Sequence, residues 1–500
     1  MITQRPIDFE QIGFFNYVFK KKENLSYLIV AIICSAIVWL VFKYYYPHPN
    51  IIFDSYHYVN ATVANSFVNA WPIGYSWFIR LVGVFSRSPN FLVSLQYILL
   101  NFSLIFFFFT IRYFFCPARW VSLLILLFCL FNPIFYYTSN LILSDTIFTS
   151  LSILWVINLI WILVRPGYWM IFTNALLLLA AFSVRYNALY YPVIASIVFL
   201  FVRRNIVFKT IGIMLQLSLI GLFVIFTIVK MNAAWGIKQF SPFGGWKLAN
   251  DALYVYKHSY NRSNYDAPQK LKPLDHHVKK YFDTNKDTID LFTPDVTSGS
   301  YYMYIHPSPL LTYRDSIFGP DDSSLDLEKF AKMGQLYEDY GTWVIKNNLH
   351  SFVKYFIWPN IQRYFIAPPE VYTDDINPFS IRTDGLGLAT RNWFNLKSIS
   401  ARQSVIDFRH NIFMNYPILN VIIHILFVFT FFSFLFTGSL YRLHSLLVPV
   451  VVVIGILWLF DFLFNVSAAA VVLRYQIFIS VIEFSFSVIF LGEILNENKV

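Results

Sequence analysis

The chain is 500 residues long, 57% hydrophobic, 20% aromatic and only 13% charged, with a mean hydropathy of +0.54. A water-soluble protein carries roughly 25% charged residues, so this chain has too little polar surface to cover a soluble globule of its size. Its formal net charge of +10 does not mark a nucleic-acid binder, because the Lys and Arg residues fall in short clusters between apolar runs and not along one basic face.

A helix needs about 20 mostly apolar residues to cross a bilayer. Ten runs meet that test, at 25–45, 91–111, 120–137, 142–164, 168–183, 188–202, 206–229, 417–437, 445–465 and 469–492. The expected fold class is therefore an all-α polytopic membrane protein with about ten transmembrane helices. Lys20, Lys21 and Lys22 precede the first run, which is too long for a secretory leader and is followed by no cleavage site of small residues. It reads as a retained anchor. Cys34, Cys116 and Cys129 lie in or beside apolar runs without CxxC spacing, which suggests neither a zinc site nor a disulfide framework.

Loop charge sets the expected orientation. With 1–24 and 493–500 in the cytosol, each inner loop is basic: Arg112 and Arg119, then Arg165, then Arg203, Arg204 and Lys209, then Arg442. The same alternation puts the first loop 46–90, the turn 184–187 and the long polar stretch 231–416 on the outer side. Seven spans in 25–230, an outer domain at 231–416 and three spans in 417–492 make up the expected division. The two halves are unlike each other, which weighs against a transporter built from two related repeats. Within the outer domain, Asp251 to Asp326 reads as loop with short elements. From Leu327 to Phe365, apolar residues such as Phe330, Met333, Tyr337, Tyr340 and Val344 recur at three and four. That spacing predicts two helices broken near Asn347 and Asn348.

Ionisable groups at membrane depth are costly and need a partner, a wet cavity or a role. Four are expected at the outer face: Asp54 in IIFDSYHYVNA, Asp145 in NLILSDTIFTSL, Arg185 in FSVRYNALYYP and Arg474 in AAVVLRYQIF, about five residues into the last span. A carboxylate can accept a proton from an attacking hydroxyl, and a guanidinium suits phosphate oxygens in a poorly hydrated setting. Asp54 is read as the base or acceptor-orienting group, Asp145 as a second catalytic carboxylate, and Arg185 and Arg474 as phosphate ligands. Tyr56, His57, Tyr75 and Tyr475 are candidate substrate contacts by proximity in sequence. Structural alternatives stand beside these roles. Asp54 and Asp145 could cap helices, Arg185 could snorkel to headgroups, and Arg474 could pair with Asp461. His57 with His48 is a weak metal pair, so no metal ligand is assigned and a divalent cation stays open. Glu483, deep in the last span, is expected to meet a polar group.

FDSYHYVNA followed by WPIGYSWFIRL resembles the first outer loop of the GT-C membrane glycosyltransferases, in particular the dolichyl-phosphate-mannose protein mannosyltransferases and the lipid A aminoarabinose transferase. In that family an acidic residue after the first span precedes a P-x-G-Y element and a membrane-lying helix, and Asp54, Pro72, Gly74 and Tyr75 stand at those positions. LSDTIFTSL, SVRYNALYYP and LYEDYGTWVIKNNLHSFVKYF are similar to later elements of the family. LRYQIF resembles its R-Y-x-x-P element without the Pro, and Ser55 follows Asp54 where some members carry a second acid. The resemblance implies a GT-C fold with amphipathic helices in the first outer loop and a mostly helical outer domain. It further implies an inverting transfer of one sugar from a polyprenyl-phosphate donor to a lipid, glycan or protein acceptor on the periplasmic or lumenal face, in a bacterial inner membrane. Two other readings are an O-antigen-type polymerase or ligase, which would rely on Arg314, Arg363 and Arg382 in the outer loop, and a lipid-linked sugar flippase, which would need polar groups along a transbilayer path.

Overall fold

The computed structural model describes residues 12–259, 266–284, 299–319, 327–369, 387–396 and 403–495. Among them every regular element is helical, apart from one isolated bridge between Asn50 and Leu141. In chain order the helices are α1 (Phe14–Lys20), α2 (Lys22–Tyr45), α3 (Phe53–Val63), α4 (Gly74–Phe85), α5 (Pro89–Phe115), α6 (Arg119–Phe131), α7 (Pro133–Ser139), α8 (Asp145–Val164), α9 (Tyr168–Val184), α10 (Tyr191–Phe201) and α11 (Ile206–Trp235). There follow α12 (Pro242–Tyr256), α13 (Lys272–Thr284), α14 (Pro309–Phe318), α15 (Leu327–Asn347), α16 (Trp358–Phe365), α17 (Leu388–Phe394), α18 (Gln403–Phe436), α19 (Val448–Ala468) and α20 (Ile477–Leu495). Eight helical stretches among the described residues are long and apolar enough to cross a membrane, and two shorter apolar ones lie between them. This is the build of a polytopic helical membrane protein.

The apolar runs seen in the sequence thus become helices, with three differences. The third run is two helices, because Pro133 has no N–H to donate and biases Asn132 to extended backbone. Asn132 then caps α7 through Oδ1, which accepts from the Ile134 N–H at 3.1 Å. The eighth run starts earlier than expected, since α18 begins at Gln403 and its apolar part at Asn411. The tenth run is the largest departure. Residues 469–476 are not α-helical, holding only a 3₁₀ turn at Leu473–Tyr475, and α20 starts only at Ile477. Irregular backbone survives among packed apolar helices only where protein groups satisfy it. Here Asn360 on α16 donates to the carbonyls of Val466 and Ala469 and accepts from the Val471 N–H, Arg363 donates to Val471 O, and Leu473 N donates to Pro368 O.

α8 forms the centre of the bundle, packed by α5, α9, α10 and α20. A buried amide ladder ties its neighbours together: Trp155 donates to Asn174, Asn174 to Gln216 and Gln216 to Ser196, so α8, α9, α11 and α10 share one satisfied chain of hydrogen bonds. Glu483 does meet a polar group, His424 on α18, with Nδ1 and Oε2 2.7 Å apart and both side chains fully buried.

The stretch expected as loop with short elements is more helical than that. α12 already covers Asp251 and α13 is an amphipathic helix of 13 residues. α12 forms because Pro242 occupies its first turn, Ser241 caps it, and Trp246, Ala249, Leu253 and Tyr256 give it one buried face. That face lies on α15, where the backbones touch. A Cβ on Gly245 would fall 1.9 Å from Gly334 O, and one on Gly341 2.7 Å from Leu248 C. Trp246 closes the contact by stacking on Phe330 at 4.5 Å and donating to its carbonyl. α15 ends at Asn347, and a second helical stretch resumes at Leu349, as the spacing predicts.

Candidate functional site

A cavity of about 470 Å³ lies where the starts of α3 and α8, the ends of α9 and α19, α12 and the irregular 469–476 segment converge. Asp54, Asp145, Arg185, Arg474 and Tyr475 line it. Each element delivers its side chain for a local reason. Ile52 is extended, and its N–H is held by Ser55 Oγ at 3.0 Å, so the capping work falls to Ser55 and Asp54 is left to face the cavity. Asp145 opens α8, which is fixed against the first loop by the Asn50 to Leu141 bridge. Arg185 ends α9 in extended backbone. Arg474 sits in a 3₁₀ turn, Leu473–Tyr475, that precedes α20 and does not lie within it.

The four charges form two ion pairs. Arg474 Nη1 donates to Asp54 Oδ2 at 3.0 Å, with the side chains 14% and 23% exposed, and Arg185 Nη1 donates to Asp145 Oδ1. The Tyr475 ring stands between the two guanidiniums, 5.1 Å from Arg185 and 5.2 Å from Arg474. An aromatic face there offsets part of the repulsion between two cations in one cavity. Asp145 is buried, and among the described residues its Oδ2 has no hydrogen-bond partner. A buried carboxylate oxygen in that state is costly unless a ligand completes it. Arg474 does not pair with Asp461, which accepts from the hydroxyls of Tyr190 and Tyr364 at 2.9 Å each.

Three residues expected as substrate contacts do not line the cavity. Tyr56 turns the other way along α3, with its ring beside Gly387 at the start of α17. His57 is buried behind Trp71, stacked on it at 3.7 Å, and burial lowers its pKa to about 4, so it is neutral at pH 7. Trp71 takes the place on the wall. Tyr75 lies one layer further back. Its hydroxyl donates to Gln96 at 2.6 Å and its ring meets Tyr58 edge-on at 4.9 Å. Of the P-x-G-Y element only Pro72 reaches the cavity. Gly74 instead lets α4 sit on the end of α9, where a Cβ would meet Ser183 at 2.5 Å.

Sequence reading missed Tyr58, Lys247, Asp251 and Tyr304, all on the cavity wall. The signal for Tyr58 was present, since it stands four residues after Asp54 and a helix puts i and i+4 on one face, whereas Tyr56, at i+2, points elsewhere and His57, at i+3, is covered by Trp71. Tyr58 OH shares a hydrogen bond of 3.1 Å with Ser144, beside Asp145. Lys247 and Asp251 are an i, i+4 pair on α12, 3.1 Å apart. Burial pushes the Asp251 carboxyl up to about 6, against the opposing pull of Lys247 and Asn250. Lys247 and Asn250 also donate to Gly299 O, at 3.2 and 3.0 Å, which anchors the one-turn helix Tyr301–Tyr304 and so Tyr304.

Among the described residues no three His, Cys, Asp or Glu side chains cluster so as to hold a metal ion. Of the arginines a polymerase or ligase would use, Arg314 is buried against Asp315 and Arg363 serves the Val471 carbonyl, and neither lines the cavity. Arg382 lies outside the described residues. Comparison with protein-family models, with curated proteins and with solved structures returns no match to this chain.

Proposed function

We propose that the protein is a membrane glycosyltransferase of GT-C type, which moves one sugar from a polyprenyl-phosphate carrier to an acceptor hydroxyl. The observation that carries this reading is the convergence of two carboxylate and guanidinium pairs on one cavity whose other wall is apolar, with Phe182, Leu189, Phe464 and Ala468 among its residues. A lipid-linked donor needs both halves of such a cavity: cations for its phosphate and an apolar flank for its chain. In this reading the acceptor oxygen forms a bond to the anomeric carbon as the bond from that carbon to the phosphate oxygen breaks, with inversion. The hydroxyl proton passes to Asp54. The charge that develops on the departing phosphate is met by Arg185 and Arg474, already in place. Lys247 and Asp251, on the wall supplied by α12, hydrogen-bond the acceptor. The cavity faces the periplasm or a lumen, with both termini in the cytosol and the bacterial inner membrane as the location. A polymerase or ligase is disfavoured because Arg314 and Arg363 are occupied elsewhere.

Mass spectrometry of lipid-linked sugars and surface glycans from cells lacking the protein tests the proposal. The expected result is an accumulated polyprenyl-phosphate sugar together with an acceptor short by that sugar. Unchanged pools of both overturn it.

A further inference from the structure

An open pocket lies in the turn between α10 and α11, walled by Tyr168, Val202, Arg203, Arg204, Asn205 and Lys209. It is at the opposite end of the bundle from the Asp54 cavity. α9 starts at Tyr168 in this basic pocket and ends at Val184, one residue before Arg185. Its 17 residues rise about 25 Å, and the returning stretch Tyr186–Phe201 is also among the shorter apolar helices. A hydrocarbon core is about 30 Å thick. Two short spans side by side bring the turn close to the headgroup plane, where the bilayer thins or the flanking cations reach outward to meet it.

Cations at the headgroup level attract a counter-charge, and among the described residues no carboxylate lines the pocket. Arg204 donates to Pro166 O at 2.7 Å and Lys209 to Leu200 O at 2.8 Å, contacts with neutral carbonyls that hold both side chains at the rim without balancing their charge. The positive end of α11, capped by Asn205, opens into the same space. Around the rim Trp169, Phe201, Ile206 and Val207 are exposed, a fringe suited to acyl chains.

We propose that this turn binds the phosphate headgroup of an anionic membrane phospholipid. The ligand chemistry is a phosphodiester or phosphate oxyanion, and the exposed apolar fringe beside the cations selects a lipid over a free anion. The inference is independent of the reaction at the other end of the bundle.

Native mass spectrometry of the purified full chain in neutral detergent, titrated with phosphatidylglycerol, phosphatidylcholine or inorganic phosphate, reads the site directly. The wild type is expected to hold phosphatidylglycerol about a hundredfold more tightly than the variant Arg203→Gln, Arg204→Gln, Lys209→Gln, at roughly a factor of five for each cation removed. Phosphatidylcholine should bind both weakly and alike, and millimolar inorganic phosphate should fail to displace phosphatidylglycerol. Equal retention of phosphatidylglycerol by the two proteins overturns the proposal, and displacement by inorganic phosphate overturns the lipid assignment. Should the triple variant unfold, Arg203→Gln alone and the charge-keeping Arg203→Lys, Arg204→Lys, Lys209→Arg protein decide it: the first must lose affinity and the second must keep it.

Discussion

Asp54 and Arg474 stand 420 positions apart in the chain and meet at 3.0 Å. The contact joins the first helix after α2 to the last irregular turn before α20, so the cavity exists only when both ends of the chain have packed. Arg185 and Asp145 stand beside it, and Tyr475 touches both guanidiniums. The proposed transfer needs charges fixed before the substrate arrives, and the two ion pairs meet that condition.

Replacing Arg185 or Arg474 by Lys keeps the charge but loses the planar fork. Each variant should insert and fold, while transfer falls by about tenfold or more, and Gln at either position should cost about a hundredfold or more. Rates of sugar transfer in membranes from cells expressing each variant check this. Wild-type rates from both Gln variants would remove the arginines from the phosphate role.

Asp251 should make stability pH-dependent in a defined direction. Its carboxyl is raised by burial to about 6 in the folded protein, whereas the unfolded chain titrates near 3.9. The folded state therefore binds the extra proton between these values. Its contribution is most favourable below pH 4 and is lost as pH rises through 6, an effect of about 3 kcal/mol for a shift of this size. Unfolding of wild type and Asp251→Asn from pH 4 to 7 should show a difference between the two that changes with that sign. A pH-independent difference would contradict it.

The contact of α12 with α15 has no room for a side chain at Gly245, where a Cβ would lie 1.9 Å from Gly334 O. Gly245→Ala should destabilise the α12–α15 pair by about 1–3 kcal/mol or more, and it should also lower transfer, because α12 carries Lys247 and Asp251. Gly221→Ala, with nothing within 4 Å of its Cβ, is the matched control and should leave the thermal midpoint unchanged or slightly raised.

The buried His424 and Glu483 pair predicts strong coupling. Removing one partner leaves the other unpaired in an apolar interior, a loss of about 3–5 kcal/mol, whereas replacing both by apolar residues is much less damaging. Glu483→Leu should therefore unfold at lower temperature than the double variant His424→Phe with Glu483→Leu. A thermal-shift series on the three proteins measures the coupling.

The membrane-crossing helices are legible in sequence because lipid imposes a long apolar run that few other structures need. Arg185, Asp145 and Asp54 are legible for the same reason: a charge at the edge of such a run stands out. The place of Arg474 was not. Nothing in AAVVLRYQIF breaks a helix, and the backbone there is irregular because Asn360 and Arg363, over a hundred positions earlier, supply its hydrogen bonds. Tyr56 and His57 were chosen by distance along the chain: helical geometry turns Tyr56 away and brings Tyr58 in, while Trp71, from the following loop, covers His57. Lys247 and Asp251 have ordinary surface spacing. Their burial comes from the Gly299–Tyr304 segment packed over them, where Lys247 and Asn250 donate to Gly299 O, a tertiary fact that neither segment signals alone.

The most direct measurement is the lipid-linked sugar content of cells in which the protein is replaced by Asp54→Asn, with its membrane level and thermal midpoint shown to match the wild type. Asp54 as proton acceptor predicts that a polyprenyl-phosphate sugar accumulates as it does without the protein, and that the acceptor stays one sugar short. A completed acceptor and a normal donor pool in those cells would contradict the account.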